Sequence, residues 1–163
     1  LQQDALDQMA TDTHTAIDNA ALGLLGEGSA AMDFYGSTQG RFQIQQVTAG
    51  ELYDLTFYSS KKFPTDDTST TISVFDDNSY SNLLGSTTVF HGNGGTPNID
   101  QLGTISGLVG PSNSNNIFYV QFEGDAGGTG YMNSMSISVI PEPSSLMLIG
   151  LAVSALAAFR RRR

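Results

Sequence analysis

Histidines 14 and 91 are the only histidines in this chain, and it has no cysteine. Nucleophilic hydrolysis would need such a base paired with a serine on a sharp turn. The Gly-x-Ser-x-Gly arrangement that does this is missing, and GSTQG at Gly36 to Gly40 has the wrong order. His91 opens a Gly-Asn-Pro loop that also holds Asn93, and no pattern sets a nucleophile against it. It reads as a solvated loop histidine. Zinc would need three or four nitrogen, sulfur or carboxylate ligands. His14 with Asp12 and Asp18 is the one such cluster, and a hydrated face explains it. No catalytic residue is assigned, and the chain is not expected to be an enzyme.

Oxygen donors are more plentiful. Asp66-Asp67, Asp76-Asp77-Asn78 and Glu123 with Asp125 are acidic turns that could hold a structural calcium ion, with Asp76, Asp77 and Asn78 the foremost candidates. None fits an EF-hand loop, and turn geometry alone favours Asp and Asn at such places. Sugar binding would use aromatic faces flanked by amides and carboxylates. Tryptophan is absent, which leaves Tyr53, Tyr58, Tyr80, Tyr119 and Tyr131. Strand alternation selects Tyr58 and Tyr119 as the exposed carbohydrate contacts.

Strands must position these residues. Eighteen glycines and only 14% charged residues, with Ser, Thr and Asn between the aromatics, describe an all-β domain rich in turns. Residues 1–28 are hard to read, with at most a short helix around Asp4 to Ala10. From residue 29 the period becomes two. AAMDFYG is a candidate strand. RFQIQQV and LYDLTFYSS, joined by TAGE with Gly50 available for positive φ, predict a hairpin with Tyr53, Leu55 and Phe57 on one face. TTISVFDD, LLGSTTVF with Gly85 as a bulge, GTISGLVG and NNIFYVQFEG continue the series. GYMNSMSISVI predicts Tyr131, Met135, Ile137 and Val139 inward and Ser134, Ser136 and Ser138 toward water. Eight or so strands over residues 29–140 fit an antiparallel β-sandwich, with a jelly roll expected.

The chain ends differently. Pro141-Glu142-Pro143 must be extended and exposed, since each proline fixes its φ and disfavours helix in the residue before it. Leu146 to Phe159 then carries no charge, and Arg160, Arg161, Arg162 and Arg163 follow. As a helix this run spans about 21 Å at ~1.5 Å per residue. The bilayer core is roughly 30 Å thick. Ser144 and Ser145 in a first turn and snorkelling arginines make up the difference. The run is apolar all round, lies at the chain end and stops at four cations, which argues for a transmembrane helix over 144–159 and against a buried core helix. Arginine clusters stay on the cytoplasmic side. Residues 1–140 hold three basic and fifteen acidic residues, a net −12, and must then lie outside the cytoplasm. A surface so acidic excludes a nucleic-acid partner. LQQDALDQMA has no basic or apolar leader, so an export signal is expected upstream of Leu1.

Proline-rich motif, apolar run and arginine run, in this order, resemble the PEP-CTERM sorting signal of Gram-negative bacteria. The resemblance implies recognition by an exosortase, a membrane-embedded cysteine transpeptidase that cleaves near the motif. It implies a protein held in the inner membrane, in contact with lipid, before processing and then delivered to the cell envelope or extracellular polymeric matrix. TAGELYDLTFYSSKK and GYMNSMSISVIPEP are also similar to exported PEP-CTERM domains of planctomycetes and their relatives. That similarity implies a galactose-binding-like or carbohydrate-binding-module-like sandwich. The expected role is structural, with extracellular polysaccharide as a partner. A defined carbohydrate-binding module, calcium-stabilised or not, is the alternative.

Overall fold

The structure is a computed structural model that describes residues 35–61, 68–93, 96–113 and 116–141. Its strands are β1 Tyr35–Ser37, β2 Gly40–Ile44, β3 Leu52–Tyr58, β4 Ser69–Phe75, β5 Leu83–Phe90, β6 Gly92–Asn93, β7 Thr96–Pro97, β8 Gly103–Val109, β9 Phe118–Gly124, β10 Gly130–Met132 and β11 Ser134–Ile140. A 3-10 turn at Asp125–Gly127 is the only helical element among the described residues. Every strand pair is antiparallel. One sheet has the order β11-β3-β8 and the other β2-β9-β4-β5; the pairs β1-β10 and β6-β7 are small additions.

The two sheets meet through their apolar faces. Tyr53, Leu55 and Phe57 of β3 and Ile105 and Leu108 of β8 face Ile72 and Val74 of β4, Val89 of β5, and Phe118, Val120 and Phe122 of β9. Leu55, Phe57, Ile72, Val74, Phe118 and Val120 are wholly buried. Each such side chain stabilises the fold by about 1.5–3 kcal/mol relative to exposure. Gly40 stands opposite Phe122 in the ladder, and a methyl group there would overlap the Phe122 ring. The glycine is thus needed for the ring to lie across the edge strand.

The all-β sandwich and most strand positions agree with the sequence reading; the β4–β5 register shifts between Val74 and Phe75, beside Gly85, but Gly85 stays opposite Val74 and Leu84 is the residue the ladder skips. The expected hairpin is overturned. β2 pairs with β9, whereas β3 pairs with β11 and β8. Between them Gln46 adopts φ 64° and Val47 is buried, its N–H donating to the Asn116 carbonyl at 3.2 Å. The chain leaves one sheet there and enters the other. Gly50 does take positive φ, at 83°, but it binds the Gly110 carbonyl at the turn into β3. Alternation has the same period whether a turn stays in one sheet or crosses to the next. Ile137 and Val139 stand on the core side of β11 as expected, opposite Leu55 and Tyr53, yet are 42% and 52% exposed, β11 having a single strand neighbour among the described residues.

Candidate functional site

Tyr58 and Tyr119 are not exposed, which corrects the expectation for both. Tyr58 lies on the outer face of β3 and is wholly buried there by the segment around Asn98. Its hydroxyl donates to the Asn98 carbonyl at 2.6 Å. Burial pushes the phenol's pKa up, opposed by the hydrogen bond with Ser60 and assisted by the nearby charge of Asp100. Asn98 is a hub: its amide nitrogen donates to the carbonyls of Ser59 and Gln101, both at 2.8 Å, and its amide oxygen accepts from the N–H groups of Asp100 and Gln101. Nothing in a tyrosine's alternation foretells a loop folding over it from forty residues away.

His91 is also corrected. It is wholly buried, with its Nδ1 3.0 Å from the Thr70 hydroxyl and its ring edge-on to Tyr131 at 4.8 Å. Its carbonyl accepts from the N–H of Lys61 at 2.7 Å. The residue ties the β5 exit to the end of β3 rather than facing solvent.

Asp76, Asp77 and Asn78 form the loop between β4 and β5. The Asp77 carboxylate accepts from the N–H groups of Ser79 at 2.9 Å, Ser81 at 3.1 Å and Asn82 at 2.7 Å, and from the hydroxyls of Ser79 and Ser81. The Ser79 hydroxyl bond, then the Asn82 N–H, hold its pKa down at about 2. These donors take the lone pairs a cation would need, so turn chemistry accounts for the residues. Asp125 receives the Ser69 hydroxyl, and Asp66-Asp67 lies outside the described residues. Among the described residues no group of three or more His, Cys, Asp or Glu is gathered as for a metal.

The sequence reading did not single out one further surface. Tyr119 does face outward from β9, but Tyr80 folds back from the β4–β5 loop and covers it. The Tyr80 ring meets Phe75 and Tyr119 edge-on at 5.5 and 6.1 Å. Arg41 stacks 4.1 Å above Tyr80 and donates through Nε to Gln121 Oε1 at 2.9 Å. Beside this stack Gln43, Gln45, Gln46, Asn116 and Ile117 line an open groove of about 630 Å³. Gln46 and Asn116 hold φ 64° and 50°, and Tyr80 holds 57°. Left-handed backbone at non-glycine residues costs free energy and concentrates at ligand-holding places. Asn113 fixes this rim by donating to the carbonyls of Asp76 and Ile117 and accepting the Ile117 N–H. The groove offers planar amides and the side of Ile117. It can donate and accept hydrogen bonds, and it brings together no nucleophile and base. The signal was present in QIQQ, where Gln43 and Gln45 alternate outward beside Phe42 and Ile44.

Pro141 follows β11 directly and is exposed. Glu142, Pro143, the expected helix over 144–159 and Arg160 to Arg163 lie outside the described residues, as do residues 1–34 with His14. Among the described residues no helix is long and apolar enough to cross a membrane. Residues 139–163 match the family model described as the PEP-CTERM protein-sorting motif. No curated protein matches the chain. A solved structure described as "CBM4 structure and function" is similar with a TM-score of 0.44 and 17% identity, over 63% of this chain and 61% of that one. The chain thus spans less than two thirds of that structure's length. The match over 139–163 implies export and processing by an exosortase, with the motif beginning inside the last strand of an antiparallel sandwich.

Proposed function

We propose that this is an exported structural or interaction protein of the cell envelope or extracellular matrix, delivered through its C-terminal signal and without catalytic activity. The motif match over residues 139–163 carries this reading. The proposed sequence of events is export of the acidic domain, retention of the apolar helix over 144–159 in the inner membrane with its arginines inside, and cleavage near Pro141 to Pro143. The domain is then free as a sandwich of jelly-roll or galactose-binding-like kind. Intact-mass analysis of protein recovered from its native host tests this. A mature species ending between Ile140 and Pro143 is expected. A species that keeps Arg163 would replace processing with plain anchoring.

The second reading is a carbohydrate-binding module, and one observation favours it. Gln43, Gln45, Gln46 and Asn116 present their amides in a single open groove. Amides suit sugar hydroxyls because each gives two donors and an acceptor in one plane. On a glycan array, Gln43→Ala with Gln45→Ala should lower binding at least about tenfold, the loss of two hydrogen bonds of ~1 kcal/mol each. Tyr58→Phe should leave binding unchanged, and a parallel array with chelator separates calcium-dependent contact. Equal binding by the double variant would remove the groove from consideration.

A further inference from the structure

Among the described residues β2 has a single strand neighbour, β9, and so forms one edge of the four-stranded sheet. An edge strand presents N–H and C=O groups that template pairing with another strand. Two other edges are blunted. β5 carries the extra residue Leu84 against β4, and β8 carries an extra residue against β3 beside Gly107, at φ 70°. Such bulges twist an edge away from a partner. β2 has none: Gly40 to Ile44 match Phe122 to Phe118 one for one. β11 is unbroken as well, but it leads straight into Pro141 and the sorting motif.

The residues of β2 are suited to meet their own kind. Arg41 to Val47 includes no carboxylate and no proline, in a chain whose residues 1–140 carry a net −12. Elsewhere two copies of so acidic a surface repel each other. Phe42 and Ile44 stand on the core side, opposite Val120 and Phe118, and are only partly buried. Arg41, Gln43 and Gln45 are exposed. A two-fold axis through Gln43 sets Phe42 against the other copy's Ile44, Gln43 against Gln43 and Arg41 against Gln45. An aromatic then meets a β-branched side chain, and a guanidinium meets an amide oxygen. Whichever alternate residues turn their N–H and C=O groups outward, this axis pairs them with each other. An axis through Phe42 would leave Ile44 facing Gly40, which has no side chain, and an axis between two residues would set apolar against polar. The ladder stops at Gln46, whose φ of 64° takes the chain out of the sheet. On the other side of the sandwich β8 packs on β5, with Gly85 against Ile105, so β2 and β11 flank the same side. The exposed Ile137 and Val139 border it.

We infer that β2 is the edge at which two copies of this protein pair, strand to strand and antiparallel, with Gln43 on the two-fold axis. Their four-stranded sheets then run on as one. The occupant is a second copy because this register gives every side chain of the strand a matching partner and opposes no like charges.

Analytical ultracentrifugation of the full chain in detergent tests this. The wild type should dimerise. Gln43→Lys and Gln43→Glu, each placed against its own copy, should weaken the dimer at least about tenfold, and an equimolar mixture of the two should restore it. A monomeric wild type, or a dimer unmoved by either substitution, would overturn the inference. Tighter dimerisation of Gln43→Glu alone would overturn the axis, since it would place Arg41 opposite. The chain has no cysteine, so Gln43→Cys and Gln45→Cys each add a single thiol at an exposed position. On mild oxidation Gln43→Cys should link to its own copy at least about tenfold faster than Gln45→Cys. The Cβ atoms at the axis lie ~4.5–5.5 Å apart, whereas the two copies of residue 45 stand four residues apart along the ladder, ~13 Å. Equal rates, or faster linkage of Gln45→Cys, would overturn the register. None of these readouts involves a sugar, so they stand apart from the glycan-array result.

Discussion

The Tyr58 hydroxyl is the residue-scale feature with the clearest measurable consequence. Burial raises its pKa above the ordinary tyrosine value. A group whose pKa is raised on folding supports stability fully below its unfolded pKa, about 10. That support is lost as pH rises through the folded value. Stability against heat should therefore fall above about pH 10, and Tyr58→Phe should flatten that alkaline limb. At neutral pH the same substitution should cost about 1 kcal/mol. The Asn98 carbonyl it frees still accepts the Ser60 hydroxyl at 2.8 Å, which limits the loss. An alkaline limb identical in wild type and variant would contradict this account. Alternation correctly set Tyr58 and Tyr119 on outer faces. It could not supply their exposure, because the covers, Asn98 and Tyr80, arrive from distant loops.

At the scale of elements, the β4–β5 loop is organised by one carboxylate. Asp77 gathers three N–H groups and two hydroxyls, and its pKa falls to about 2. A carboxylate with a depressed pKa contributes stability that is present above the unfolded value, about 3.9. The contribution is lost as pH falls toward the folded value. Between about pH 4 and pH 2 the wild type should lose stability more steeply than Asp77→Asn, whose amide nitrogen cannot accept the same donors. Parallel thermal melts over that window check the difference, and coincident slopes would remove Asp77 as the organiser. The turn itself was legible from Asp-Asp-Asn between two alternating runs. The pairing of strands was less so. RFQIQQV and LYDLTFYSS look like neighbours because a period of two and a glycine turn do not record which sheet follows. The residues that redirect the chain, Gln46 with positive φ and the buried Val47, carry no such mark in their types.

At the scale of the whole molecule, charge and hydropathy are divided along the chain: a net −12 over residues 1–140, Glu142 in the proline motif, then an uncharged run and four arginines. β11 ends at Ile140, and three residues, 141–143, separate it from the proposed helix over 144–159. Extended, they would reach about 10 Å at ~3.4 Å per residue. An anchored domain would hence stand close to the lipid surface, where its negative charge keeps it from adhering to anionic headgroups. In the proposed route the arginines would set direction, since positive residues resist transfer across the membrane while acidic ones contribute little. Replacing Arg160 to Arg163 by glutamate should therefore remove the stop without touching the sandwich or the proline motif. In the native host, released mature domain should fall at least about tenfold, as expected when a topology signal of several charges is inverted. The uncleaved protein should be lost from the membrane fraction. Intact mass and protease added to whole cells read both outcomes. Normal release by that variant would mean that something other than the terminal charge orients this protein, and the proposed sorting route would fail with it.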